Sequence, residues 1–403
     1  MRVTQSLNQM QFVASLTTLE SNLSQTQNQI STNLSFTTPS QNPVAAGAVN
    51  GYNQALAQSK QYDVNANSAQ TRLGIEDTAL SQVQSALQSL RDLALQANSG
   101  TTSSQSRIAI AAQAGQIQAS LASLANTQDG NGEYLFSGYA TQIQPFTLSP
   151  AGATYSGDQG QRQVQIAAGQ SVAEGDNGDA VFNQIKTGNG IFTATAAAGN
   201  TGTGVLGATT VTNTAAYNGD SYVITFNAPS TGVTANTYNL TDTTTGTTVT
   251  AAYTDGQAIT FNGGQVNLTG QPAVGDTFSV APSSNQSIFT TVSNLVTALQ
   301  SGASSSASLA QFNNSVNTAI NNIDQALNQT SNVRSSIGGR LNAITTQLSV
   351  SSSQQIRLQT SISSLQSLDY ASAITRLQAE NTTLSAAMQA YTITQGLSLF
   401  KYL

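Results

Sequence analysis

Three groups of residues have the types and spacing from which chemistry could be built. Glu174, Asp176 and Asp179 place three carboxylates on one short stretch, as a calcium loop requires, but without the register and closing Glu of a helix-loop-helix calcium site. A solvated turn is the better reading. Gly202, Gly204 and Gly207 match GxGxxG, the pattern that lets a backbone approach a pyrophosphate. That fingerprint needs an apolar strand before it and a helix after it; here ATAAAGNT precedes and ATTVTNTA follows, so a glycine-rich loop is expected. Glu76 and Asp77 are adjacent carboxylates, yet neighbours on a helix point in different directions, which argues against a coupled acid and base. Tyr134, Phe136 and Tyr139 are either an exposed recognition cluster or, as we favour, aromatics that close the core at a domain junction.

The wider composition narrows these options. The chain has no His and no Cys, which removes the commonest general base near neutral pH, the usual zinc sites, thiolate chemistry and a disulfide framework. We therefore expect no catalytic, cofactor-binding or metal-ligating residue, and no enzyme. Charged residues make up 7% of the 403 positions, where an average soluble protein has roughly 25%. The net charge is -6, and no basic residue occurs between Lys186 and Arg334, so a phosphate-neutralising surface for nucleic acid is not expected. The opening MRVTQSLNQMQFVASL lacks the continuous apolar core of a cleaved secretory signal. No run of about 18 apolar residues exists that would span a membrane.

What remains is patterning. Phe12, Leu16, Leu19, Leu23 and Ile30 near one end, and Tyr370, Ile374, Leu377, Leu384, Met388 and Tyr391 near the other, follow heptad spacing on a background of Gln, Asn, Ser and Thr. Such stripes favour long packed helices and assembly through the chain ends. In the first 50 residues only Arg2 and Glu20 are charged, so shape rather than salt bridges must set the register.

The elements carrying these stripes can be placed along the chain. Residues 5–35 read as a first helix, stopped by TTPSQNP at 37–43, with Pro43 well suited to a new helix start. A very long helix from Val44 to about Asn98 carries Leu73, Leu80, Val83, Leu87, Leu90, Ala94 and Ala97, and a third, about 105–125, returns along it. DGNGEYLFSGY at 129–139 marks the exit into extended chain. From there to about 285, strand-like runs such as 162–166, 221–226, 247–253 and 277–280 alternate with turn residues, as in an inserted sandwich or barrel. Helix resumes with Ile288, Val292, Leu295 and Leu299, pauses at 301–306, and continues from about Leu309 to the end with a frame slip near Asp369. Gly338 and Gly339 interrupt it, which points to close helix approach or a hinge.

The expected fold is α+β: a long antiparallel helical, coiled-coil rod formed by both termini, each arm roughly 130 Å long, with an inserted all-β outer domain. The domains expected are an N-terminal assembly helix at 1–43, the rod at 44–139 and 286–369, the β domain at 140–285, and a C-terminal assembly helix at 370–403. Sparse charge and unpartnered seams lead us to expect that residues 1–40 and 370–403 are disordered before assembly.

Four short motifs narrow this further. GEYLFSGY at 132–139, YSGDQGQRQVQIAAGQSV at 155–172, NVRSSIGGRLNAI at 332–344 and the ending LSLFKYL resemble the flagellin-like axial proteins of bacterial flagella, and within them the hook-filament junction family of hook-associated protein 3. The resemblance covers both helical arms and much of the insertion. Gln41 and Asn42 depart from it where relatives have a pair of acids before the proline, and Asn33 and Phe36 stand where relatives often have glycine and a basic residue.

The resemblance implies a secreted structural subunit, exported by the flagellar type III apparatus with an export chaperone shielding the C-terminal seam. It would assemble as a homo-oligomeric ring or tubular layer between hook-associated protein 1 and flagellin, with no nucleic acid or membrane partner. The alternatives are a flagellin filament subunit, against which MRVTQSLNQ and LSLFKYL speak, and a secreted adhesin whose β insertion binds glycans or host surfaces.

Overall fold

The computed structural model describes residues 2–228 and 236–396, so the LSLFKYL ending and Met1 lie outside the described residues. Among the described residues the order is three helices, fourteen short strands with one π-helical turn (Asp179–Asn183) between the fourth and fifth, then three helices: α1 (Arg2–Thr32), α2 (Pro43–Ala97), α3 (Ser104–Ala125), β1 (Phe146–Ser149) through β14 (Asn285–Gln286), α4 (Ile288–Gln300), α5 (Ser306–Gln366) and α6 (Tyr370–Gly396). Both terminal regions are thus helical around an all-β centre, as the periodicities require. No described helix is long and apolar enough to cross a membrane. The chain divides into two compact units, Met1–Val64 with Thr346–Leu403, and Asn65–Thr345.

In the first unit, α1 packs on α6, and the start of α2 pairs with the end of α5. Asn33 ends α1 in the left-handed region at φ 58°, a conformation glycine adopts freely and Asn tolerates better than most side chains. Gln41 and Asn42 build the turn into α2. The Gln41 Oε1 accepts the Thr37 N–H at 2.7 Å, and the Asn42 Oδ1 accepts the Ala45 N–H at 3.1 Å, capping α2 with Pro43 at its first position. A small core of Phe36, Ala45 and Val49 closes over Ile362 and Leu365.

Helix α5 does not run on to the chain end as expected. It stops at Gln366, where the Ser35 N–H donates to the Gln366 carbonyl at 2.7 Å and Leu34 bridges Ser367. The Asp369 carboxylate then accepts the Ala371 and Ser372 N–H groups and starts α6. Those backbone donors, Ser372 foremost, hold its carboxyl below the usual range. The frame slip seen in the sequence is this break.

In the second unit, Leu73, Leu80, Val83, Leu87, Leu90, Ala94 and Ala97 of α2 are all buried, together with Ile110, Ala114 and Leu121 of α3 and Ile288, Val292, Leu295 and Leu299 of α4. Charged pairs Asp77–Arg334 and Arg91–Asp324 align α2 antiparallel to α5. Here, outside the charge-poor first 50 residues, charge does mark register, although the Arg91 pair is exposed enough to contribute little. Gly338 and Gly339 sit inside an unbroken α5, and an added Cβ at either would meet nothing within 4 Å. Close helix approach therefore does not explain them.

The β region contains a sandwich. A five-stranded sheet in the order β10 (Thr248–Ala252), β9 (Thr237–Asp242), β8 (Tyr222–Asn227), β13 (Thr277–Pro282), β6 (Phe192–Ala196) shares one core with a three-stranded sheet of β11 (Ala258–Phe261), β12 (Gly264–Thr269) and β7 (Val205–Val211). All pairings are antiparallel. In β8 the inward residues Tyr222, Ile224 and Phe226 are buried and alternate with partly exposed ones, the period-2 signature of a strand with one face on a core. Amide side chains on α5 grip this region by its backbone. Asn314 accepts the Leu206 N–H at 2.7 Å and donates to the Gly204 carbonyl at 2.9 Å, and Gln311 and Asn317 donate to neighbouring carbonyls. Asn314 thereby occupies the place of a neighbouring strand along the edge of β7.

Candidate assembly surface and the buried charge cluster

The structure sorts the expected seam into two classes. Phe12, Leu16, Leu19, Leu23 and Ile30 of α1 and Leu377, Leu384 and Tyr391 of α6 are half-buried, whereas Tyr370, Ile374 and Met388 are 46%, 46% and 51% exposed. The two helices run antiparallel. Phe12 stacks on Tyr391 with ring centroids 5.2 Å apart, Gln9 donates to the Tyr391 hydroxyl at 3.3 Å, and the Tyr370 hydroxyl donates to the Ile30 carbonyl at 3.2 Å.

The face of α6 turned to α1 shares Leu377, Leu384 and Tyr391 with the stripe read in the sequence but takes Ala373 and Ala387 in place of Ile374 and Met388. It runs Ala373, Leu377, Glu380, Leu384, Ala387, Tyr391, spaced by 4 and 3 throughout, while Ile374 and Met388 flank it in solvent. On α1 the matching row includes Thr26, which is buried. A search for large apolar residues passes over Ala373, Ala387 and Thr26, but small side chains are what allow two helices to approach closely. Helices α1 and α6 pair along this face, each serving as the other's apolar partner. The pair remains thin, with Ala373 the one fully buried apolar side chain among the described residues of α6. Leu7, Met10 and Val13 of α1 and Ile393 of α6 add to the apolar surface left open.

The second unit gathers charged residues into one cluster. Arg72 binds Asp129 at 2.7 Å and Glu133 at 3.3 Å; Arg162 binds Glu133 at 2.8 Å and Glu174 at 2.5 Å; Arg340 binds Asp176. Glu76, wholly buried on α2, accepts the Asp176 N–H at 3.2 Å. Eight of the chain's charged residues, from a total of 12 Lys and Arg and 18 Asp and Glu, meet here.

The same geometry shows where the residues first considered for chemistry lie. Glu174 answers Arg162, Asp176 answers Arg340 and Gln161, and Asp179 accepts from Gln159, Asn183 and Gln184, so the three carboxylates diverge and enclose no common point. Glu76 and Asp77 likewise part, Asp77 pairing with Arg334 at 2.9 Å. The Gly202 N–H donates to Asp276 and the chain leads through Gly204 into strand β7, not a helix, so the helix that the pyrophosphate fingerprint requires does not follow.

The same cluster fastens the short motifs together. Within GEYLFSGY, Glu133 and the Tyr134 carbonyl are held by Arg72, and the Phe136 carbonyl accepts from the Tyr155 hydroxyl at 3.0 Å. Phe136 itself is buried edge-on against Phe182, with ring centroids 5.2 Å apart, whereas Tyr134 is half-buried and Tyr139 exposed, so of the three aromatics only Phe136 lies fully in the core. Asp158 of the second motif accepts the N–H groups of Tyr139 and Gly160, and the Tyr139 N–H above all holds its carboxyl below the usual range. Arg334 and Arg340 of the third motif complete the contacts to α2 and to residue 176. Motifs far apart in sequence thus form one fastening where the β region leaves the helices.

Comparison with known proteins agrees with this arrangement. Residues 3–141 match the bacterial flagellin N-terminal helical region and residues 320–403 the bacterial flagellin C-terminal helical region. The solved structure of FlgL from Xanthomonas campestris is 35% identical, with a TM-score of 0.71, covering 77% of this chain and 99% of that one. The chain belongs to the flagellar hook-associated protein 3 family. The flagellar junction protein FlgL of Legionella pneumophila is 33% identical with a TM-score of 0.68, covering 73% of this chain and 98% of that one. Flagellar hook-associated protein 3 of Escherichia coli is 35% identical over 157 residues, 39% of this chain. The chain spans 49% of the length of that curated relative. The family models thus match both helical ends of the chain, and the relatives carry the names of flagellar proteins.

Proposed function

We propose that this chain is a structural, non-enzymatic subunit of the hook-filament junction of the bacterial flagellum, outside the cell. It joins hook-associated protein 1 on one side to flagellin on the other and assembles with copies of itself in a ring or tubular layer through residues 1–43 and 370–403. The observation that carries this is the half-satisfied terminal pair. Helices α1 and α6 use one face on each other and leave Leu7, Met10, Val13, Tyr370, Ile374, Met388 and Ile393 open, so the pair needs further partners to bury its apolar surface. Heterologous contacts of this kind, repeated among identical subunits, close into rings or extend as helical tubes. Export through the flagellar type III apparatus, with a chaperone covering the C-terminal seam, follows from the same reading.

Deleting residues 370–403 tests it. The truncated chain is expected to leave cells with hooks but no attached filament; attached filaments on cells carrying the truncation would contradict the proposal. A flagellin filament subunit is the second reading, favoured by the match of both chain ends to flagellin helical regions. It differs in placing the protein along the whole filament.

A further inference from the structure

The charge cluster contains a group that assembly through the termini leaves unused. Glu76 is 0% exposed in the middle of α2. Its Oε1 accepts the Asp176 N–H at 3.2 Å, while its Oε2 is buried without a hydrogen-bond partner beside Gly175. Arg340, from α5, shows the complementary feature. Its Nη2 binds Asp176 and its Nη1 donates to the Ala173 carbonyl at 3.3 Å, but its Nε is buried with no partner.

The surrounding charges leave no spare cation for Glu76. Arg72, on the same helix, is engaged by Asp129 and Glu133; Arg162, leading into β3 (Gln163–Ala167), by Glu133 and Glu174; and Arg334 of α5 by Asp77. Two carboxyl groups, Glu76 and Asp176, therefore face the single guanidinium of Arg340 in a water-poor site. With Glu76 protonated, Arg340 and Asp176 neutralise each other. With Glu76 ionised, a second carboxylate competes for Arg340, and one negative charge is left buried and uncompensated, an arrangement proteins avoid at a cost of several kcal/mol.

We propose that Glu76, Asp176 and Arg340 form a proton-operated latch on the segment 173–178. The protonated Glu76 lets Arg340 hold Asp176 and fastens the segment between α2 and α5; loss of that proton draws Arg340 from Asp176 and loosens it. The segment leads directly to the Gly178 N–H, which donates to the Phe136 carbonyl at 2.8 Å, so loosening reaches the fastening of the GEYLFSGY motif. Burial pushes the Glu76 carboxyl well up from 4.5, with the Asp176 charge adding and Arg340 opposing. A carboxyl raised in the folded state gives stability that is full below its unfolded value and falls as pH rises through the folded one. The latch is thus closed in acid and opens toward alkaline pH. It does not depend on the junction assignment.

The test uses the full chain and follows thermal unfolding, together with exchange protection of the Asp176 and Gly178 amides, from about pH 5 to about pH 9. Protection, corrected for intrinsic base catalysis, is expected to fall at least about tenfold across this range in the wild type and to stay flat in Glu76→Gln, which is neutral at every pH. Asp176→Asn removes the competing carboxylate and is expected to shift the transition to lower pH. Equal pH profiles for wild type and Glu76→Gln overturn the latch. Should Glu76→Gln fail to fold, an unshifted transition in Asp176→Asn overturns it equally.

Discussion

At the scale of single residues, amides replace charges as the chain's directional groups. Asn126 binds both the N–H and the carbonyl of Phe146, at 2.9 and 2.8 Å; Asn200 does the same to Thr277, at 2.9 Å for each bond; Asn314 bridges two residues of the β region. A neutral amide both donates and accepts, so it can pair with buried backbone at no cost of charge desolvation. Asn33 shows a second use of the same residue type. Its φ of 58° is one that a β-branched side chain resists by roughly 1–2 kcal/mol. Asn33→Val is expected to lower stability by about that amount, and Asn33→Gly to leave it unchanged or slightly raised, both checked by urea unfolding. The sequence flagged Asn33 only as a departure from glycine. Its backbone angle supplies the reason that position favours glycine.

At the scale of elements, helices were legible because burial on one face writes a period into the sequence. Leu73 through Ala97 and Ile288 through Leu299 were read in place, and the α2, α3 and α4 boundaries fall within a residue or two of those expected. What escaped were features made by small or polar residues. Ala373, Ala387 and Thr26 shape the terminal seam but carry little hydrophobicity, so the stripe was drawn through Ile374 and Met388 instead. The ion-pair cluster escaped for another reason: Arg72, Glu133, Glu174 and Arg340 lie on elements whose meeting is a tertiary fact, and nothing in their spacing announces it. Alternation in the sequence points to a sandwich or a barrel; it does not decide between them or give the sheet order, with β13 between β8 and β6. Gly338 and Gly339 remain an element-level conflict, since each weakens a continuous helix and neither has a close neighbour that would require a glycine. Gly338→Ala and Gly339→Ala are each expected to stabilise α5 by about 1 kcal/mol in thermal unfolding. If the pair acts as a hinge during assembly, the same variants will form fewer filament-bearing flagella despite being more stable.

At the scale of the whole molecule, function rests on a division of labour between the two units. The second unit has its own helical core, its aromatic cluster of Phe136, Phe146, Phe182 and Phe289, and its β sandwich, so it has what a self-sufficient domain requires. The first unit has a thin helical pair with open apolar rows and needs company. That contrast supports the proposed junction role, in which partners are expected at the chain ends. The measurement that bears most directly on it is the position of the labelled protein on isolated flagella by electron microscopy. A thin band between hook and filament is the predicted result; label along the entire filament, or none on the flagellum, would contradict the account.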